Sequence, residues 1–194
     1  MGSEGATVVA AGAERYRLPL TVRDFLILHE AGAFEEVGKV ELIEGEIFRM
    51  APLHPPHARV TMILGSLIDA AVEILGRGLE ALFEPSADLD TISLPRPDIV
   101  IADAADEDVV SRPTVRLLVK IAASSLEYDL GRKLKLYART GVPEYWVADV
   151  DGREIIRFHA PAGEDYAERA TFAFGEAVPS ATIPGLVVDT ARLA

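Results

Sequence analysis

The stretch LLVKIAASS, residues 117–125, carries an ammonium in the middle of an apolar, strand-like run. A charge buried there without a partner is costly, so Lys120 needs an anion, water or a place in a site. Two carboxylates are candidate partners. Asp98 opens the apolar run DIVIAD at a strand end, where open α/β sheets commonly hold ligands. Glu41 stands between Val40 and Leu42 in an early apolar run. If Asp98 and Lys120 lie on adjacent strands and face one pocket, the ammonium pairs with Asp98, reaches toward Glu41, and occupies the space of a divalent cation. The competing arrangements are an edge-strand lysine facing water, a solvated Glu41, and an Asp98 that caps the turn after Pro97.

A second source of positive charge is the run EYDLGRKLKLYARTG, read as a helix ended by Gly141 or Pro143. Leu130, Leu134 and Tyr137 form its apolar stripe. Arg132, Lys135 and Arg139 fall opposite that stripe, whereas Lys133 lies roughly 60° from its centre and leans toward the core. Glu127 and Asp129, ahead of the lysines, complement the helix dipole by default and are spare cation ligands otherwise. His54 and His57 in HPPH lack a third ligand, which makes them a weak zinc signal. Of Tyr145 and Trp146, which alternate faces in PEYWVAD, one is expected in the core.

The elements that must hold these groups can be read from periodicity and turn chemistry. LTVRDFLILHEAG predicts a short helix with Thr21 as N-cap and Gly32 as its stop. KVELIEGEIFRM predicts two strands around Glu44-Gly45. A long helix over about 56–76 follows from Val60, Ile63, Leu64, Leu67, Ile68, Ala71, Val72 and Leu75, with Pro55 and Pro56 suiting its first turn. Strands are expected at LEALFE, DLDTISL, RPDIVIAD and VRLLVKIAA, with ADAADEDVVSRPT as the longest exposed loop. PEYWVADV and REIIRFHA pair around Asp151-Gly152, and DYAERATF and ATIPGLVVD add one or two strands. This order predicts an α/β (α+β) architecture with a central mixed sheet flanked by helices.

With 194 residues, 49% hydrophobic and 26% charged, the chain can bury a substantial core. Residues 1–16 read as a flexible lead-in, and 17–194 as a single domain. There is no cysteine, which excludes disulfides and thiolate chemistry. The longest apolar stretch is broken by Asp69 and Glu73, and the first residues lack a basic segment ahead of an apolar one, so a soluble, cytoplasmic protein without membrane association is expected. Nineteen basic against thirty-one acidic residues give a formal charge of −12, which opposes non-specific binding of nucleic acid. A nuclease is still compatible with that charge, because bound divalent ions reverse the local field.

ELIEGEIFRM, HPPH opening a helix, RPDIVIAD, and SSLEYDLGRKLKLYARTGVPEYWVAD together resemble the Uma-type restriction endonucleases, a family with a PD-(D/E)XK nuclease core, over about residues 20–190. The resemblance implies a restriction-endonuclease-like fold and metal-dependent hydrolysis of DNA phosphodiesters by a homodimer. It also implies Mg²⁺ or Mn²⁺ on Asp98 with help from Glu41, and Lys133 stabilising charge at the phosphate. Carboxylates suit such hard cations, which polarise the phosphate and acidify a water. His57 matches a position that would contact the scissile phosphate or water.

The family pattern V-E-V-A-D-S-S reads VKIAASS in this chain, which puts Lys120 where a metal-binding acid is expected and Ala123 where a second acid is usual. Both changes remove negative charge from the implied metal site, so weakened or lost cleavage is expected. The alternatives are a non-catalytic binding or regulatory protein on the same fold and a hydrolase acting on a small phosphorylated molecule.

Overall fold

A computed structural model describes residues 18–50, 54–104 and 109–194. The expected lead-in over 1–16, and parts of the APLHPPHARV and ADAADEDVVSRPT segments, lie outside the described residues.

Helix α1 (Val22–Glu30) starts at Thr21, whose side chain accepts from the Asp24 backbone while the Asp24 carboxylate accepts from the Thr21 backbone, a reciprocal capping box. A hairpin follows, β1 (Val40–Ile43) with β2 (Glu46–Arg49). Its turn uses left-handed Glu44 and Gly45, at φ 54° and 76°. A Cβ on Gly45 would sit 2.3 Å from Pro19 Cβ, so glycine is required there for space as well as for backbone angle. Helix α2 (Pro55–Leu75) opens with two prolines and ends at left-handed Gly76.

The central sheet has six strands, β3 (Leu79–Phe83), β5 (Ile99–Asp103), β7 (Val115–Ala122), β8 (Glu144–Asp149), β9 (Glu154–Ala162) and β10 (Asp165–Ala173), in the order β10-β9-β8-β7-β5-β3. All neighbours are antiparallel except β7 and β8, which are parallel and joined by the helical stretch 126–139. A crossover of that kind is what a parallel pair demands. Two short strands, β4 (Ala87–Asp88) and β6 (Val110–Ser111), pair beside the sheet, and β11 (Ala177–Pro179) with β12 (Val187–Asp189) form the last hairpin.

Alternation along the strands sorts the core into two layers. Ile99, Ile101, Leu117, Val119 and Ile121 pack with Val60, Leu64 and Ile68 of α2. Val100, Leu118, Tyr145 and Val147 face the other way, against Leu134, Tyr137 and Ala138 of the crossover. A smaller cluster ties Val22 and Phe25 to Leu42 and Leu94. The last hairpin is anchored by Glu144, fully buried at the start of β8. Its carboxylate accepts from the Ser180 and Thr182 hydroxyls, the Ala181 and Thr182 backbone N–H groups, and Trp146 Nε1.

Two expectations change. DLDTISL contributes only Asp88 to β4 and two isolated bridges, Asp90–Ser93 and Leu94 with Leu42, because Thr91 and Ile92 spend their reach on a turn that meets α1 and the hairpin. The helix after β7 is not a regular α-helix. It consists of α3 (Leu126–Tyr128), a π-helical turn (Asp129–Lys133) and α4 (Leu134–Arg139). No described helix is long and apolar enough to cross a membrane.

Candidate functional site

Asp98 precedes β5 by one residue, and its backbone N–H already donates to Val119 O at 3.1 Å. The β5–β7 register pairs Ile99 with Val119, so the next step places Asp98 opposite Lys120. Both side chains share the parity of Val100 and Leu118 and face the crossover helix. They meet there. Lys120 Nζ lies 2.9 Å from Asp98 Oδ2, and the side chains are only 7% and 4% exposed. The same oxygen accepts the Ile121 N–H at 2.6 Å.

A second buried pair lies alongside. Glu41 on β1 is buried, because the loop before Asp98 runs beside the strand: Leu42 and Leu94 exchange backbone hydrogen bonds, and Arg96 N–H donates to Glu41 Oε2 at 3.1 Å. Lys133 Nζ reaches both Glu41 oxygens, at 2.8 Å and 2.9 Å. The ammonium also sits 5.7 Å from the centre of the Tyr128 ring.

Asp129 completes the group and is only 1% exposed. Its Oδ2 accepts the Ser125 hydroxyl at 2.6 Å, and its carbonyl accepts the Tyr145 hydroxyl at 3.2 Å. Burial raises its carboxyl above the ordinary value, against the opposing pull of Lys120 and then Lys133. Burial alone would lower the Lys120 ammonium. Asp98, then Asp129 and Glu41, outweigh it and hold the group above its ordinary value, so Lys120 stays charged. Three carboxylates thus face two ammoniums in the interior. The Tyr137 hydroxyl, fully buried beside them, makes no hydrogen bond among the described residues.

The structure therefore brings together Asp98, Lys120, Glu41 and Lys133 and adds Asp129. His57 stands apart on the first turn of α2, where its Nδ1 meets the Thr61 hydroxyl at 3.2 Å, and no bond joins it to the cluster among the described residues. Trp146 and Tyr145 are both core, on opposite faces of the sheet. Asp129 escapes a regular helical projection because the π-turn inserts one residue. The insertion rotates everything before it by about 100° relative to α4, which turns Asp129 inward and Leu130 aside. Gly131 inside an otherwise good helix pattern is the one local sign of that irregularity.

As they stand, these residues do not fit a divalent ion. Asp98 Oδ2 and both Glu41 oxygens are engaged by ammoniums, and no group of three His, Cys, Asp or Glu side chains among the described residues is placed to hold a metal. A divalent ion about 4 Å from an ammonium is repelled by roughly 8 kcal/mol at an effective dielectric of about 20.

The family model Uma2, described as "Putative restriction endonuclease", matches residues 22–191. No curated protein matches the chain. A similar solved structure is the crystal structure of a "putative nuclease belonging to DUF820" from Anabaena variabilis ATCC 29413, 19% identical with a TM-score of 0.66, the match covering 90% of this chain and 97% of that one. At that identity the likeness shows the fold: a mixed sheet with flanking helices.

Proposed function

Because the chain belongs to the Uma2 family of restriction-endonuclease-type proteins, we propose that its fold is built for phosphodiester hydrolysis in DNA and that Lys120 has replaced the Mg²⁺ or Mn²⁺ ion such hydrolysis uses. Cleavage is weakened or lost in consequence, and what remains is a nuclease-fold binding or regulatory protein. The observation that carries this reading is the 2.9 Å pair of Lys120 with Asp98 in the interior. An ammonium satisfies the carboxylate electrostatically but supplies no open coordination position and acidifies no water. Lys133, buried against Glu41, keeps the place the family pattern gives to a charge-stabilising lysine, so the chain retains one part of the machinery while lacking the cation.

The test is calorimetric titration of Mn²⁺ and Mg²⁺ into the native protein and Lys120→Glu, with Ala123→Asp added in a third variant, followed by incubation of each with supercoiled plasmid. The native protein is expected to take up no ion and leave the plasmid intact, while Lys120→Glu or the double variant binds and nicks. Ion uptake and nicking by the native protein would sink the reading and restore a working nuclease with a different ligand set.

A further inference from the structure

The two edges of the central sheet are not alike. Strand β10 exposes Asp165, Glu168 and Arg169, charges of the kind that discourage pairing at natural sheet edges. Strand β3, the other edge, carries Glu80 as its one charge and has no neighbour on its outer side among the described residues. It contains no proline and no bulge, and its register against β5 runs unbroken from Leu79 to Phe83. Glu84 N–H donates to Asp98 O at 2.9 Å and Ala104 N–H to Gly78 O at 3.0 Å, so alternation turns the backbone groups of Gly78, Glu80, Leu82 and Glu84 toward β5. Those of Leu79, Ala81 and Phe83 face the open edge. Phe83 lays its ring on Gly65 of α2, where an added Cβ would stand 2.5 Å from the ring, yet the residue is still 50% exposed. Met62, one turn before Gly65 on the same side of the helix, is 67% exposed and lengthens the apolar strip.

We propose that this edge pairs with the same edge of a second copy of the chain, β3 antiparallel to β3, about a two-fold axis at Ala81. Two identical antiparallel strands are related by an axis normal to the sheet, which falls between one residue and its own copy. With Ala81, the middle of the strand, on that axis, Leu79 stands opposite Phe83 of the second copy and Phe83 opposite its Leu79. These are the residues whose N–H and C=O groups face outward, so every free backbone group of the edge gains a partner. No like charges stand directly opposite each other, since Glu80 meets Leu82. Leu79 and Ala81 pack on the α2 layer, and Phe83 shares their face, so the half-exposed ring is covered by an aliphatic cross-strand neighbour. A register that closes on itself in this way fits a second copy of the strand better than an unrelated one. The axis maps each face of the sheet onto itself, so the two clusters that contain Asp98 and Lys120 would lie on one face of the joined sheet. The proposal is a surface and a register, and it holds whether or not the buried cluster takes a metal.

Sedimentation of the full chain across a dilution series tests it, and the native protein is expected to sediment as a dimer. Ala81→Pro deletes an N–H that the β3–β5 ladder does not use, and is expected to weaken the dimer by about tenfold or more while the circular dichroism of the fold is kept. Where Ala81→Pro does not fold, Phe83→Glu, at an exposed position of the same edge, decides in the same way. The absence of native cysteine allows the register to be read directly. Ala81→Cys is expected to give a disulfide-linked dimer on mild oxidation, because hydrogen-bonded partners lie about 5.5 Å apart between Cα atoms, inside the range a disulfide spans. Thr171→Cys, exposed on β10, is expected not to cross-link. A native protein that stays monomeric at every concentration overturns the proposal and leaves the edge to an extended strand of another protein. So does a dimer that folded Ala81→Pro or Phe83→Glu leaves undiminished, or one that cross-links through Thr171→Cys and not through Ala81→Cys.

Discussion

At the scale of single residues, the buried cluster separates groups that stabilise the fold from one that costs it stability. Lys120 and Asp98 are each nearly excluded from water, so removing one charge strands the other. Lys120→Met, which keeps the length and loses the charge, is expected to destabilise by about 3–5 kcal/mol, the usual penalty for a buried charge left alone. Urea denaturation at pH 7 checks it, and a loss below about 1 kcal/mol would mean that water reaches Asp98 in solution. Asp129 behaves oppositely. Burial raises its carboxyl above the ordinary value, so the folded protein holds that proton more tightly than the unfolded chain does. The stability this confers is fully present below the unfolded value near 3.8 and is lost as pH rises through the folded value. Above the unfolded value this carboxyl therefore adds a net cost to folding, and Asp129→Asn is expected to melt above the native protein at pH 7, with the gap closing toward pH 4. A variant that melts lower at pH 7 would show that Asp129 stabilises the fold through Lys120 and Lys133 after all.

At the scale of elements, the hairpin and the crossover helix are bound to each other through Glu44. Its carboxylate takes Arg139 and Arg132, the latter at 2.7 Å, from the tip of the β1–β2 turn, and thereby fixes the hairpin that carries Glu41. Arg139 first, and Arg132 after it, hold the Glu44 carboxyl below its ordinary value against the opposing effect of burial. The contribution is thus present above the unfolded value near 4.5 and lost as pH falls through the lower folded one. Glu44→Gln is expected to cost under about 1 kcal/mol at pH 7, since these pairs are partly solvated, and less at pH 3 than at pH 7. Denaturation midpoints at the two pH values test this, and an equal loss at both would locate the effect in the left-handed turn instead. Most of these elements were legible in the chain: the Thr21 cap, the Glu44-Gly45 turn and the apolar period of α2 all act locally. The period of two along DIVIAD and LLVKIAASS was enough to bring Asp98 and Lys120 to one face. Asp129 could be singled out only as a spare ligand behind a helix-dipole role, because a π-turn displaces the helical phase and nothing in residue spacing announces it except Gly131. Nor could periodicity assign Glu41 to Lys133, since that pairing depends on how the loop through Arg96 packs on β1.

At the scale of the whole molecule, the formal charge of −12 bears on how such a protein meets DNA. Six of its nineteen basic residues are engaged in ion pairs. Lys120 and Lys133 are buried on carboxylates, and Lys39, Arg116, Arg132 and Arg139 pair with Glu84, Asp103, Glu44 and Glu46, and Glu44. The excess of acidic residues repels a duplex beyond contact range. The native protein is therefore expected to bind a labelled duplex weakly, with log affinity falling by less than about 3 per tenfold rise in salt, the slope of roughly three phosphate contacts. Lys120→Glu in Mn²⁺ is expected to bind more tightly than the same variant in chelator, because a bound divalent ion reverses the sign of the field at the mouth of the site. Fluorescence anisotropy across a salt series measures both quantities. A native slope as steep as about 6 would mean roughly seven phosphate contacts and overturn the expectation of weak binding, the self-association expected from the family resemblance being one way to assemble so basic a face.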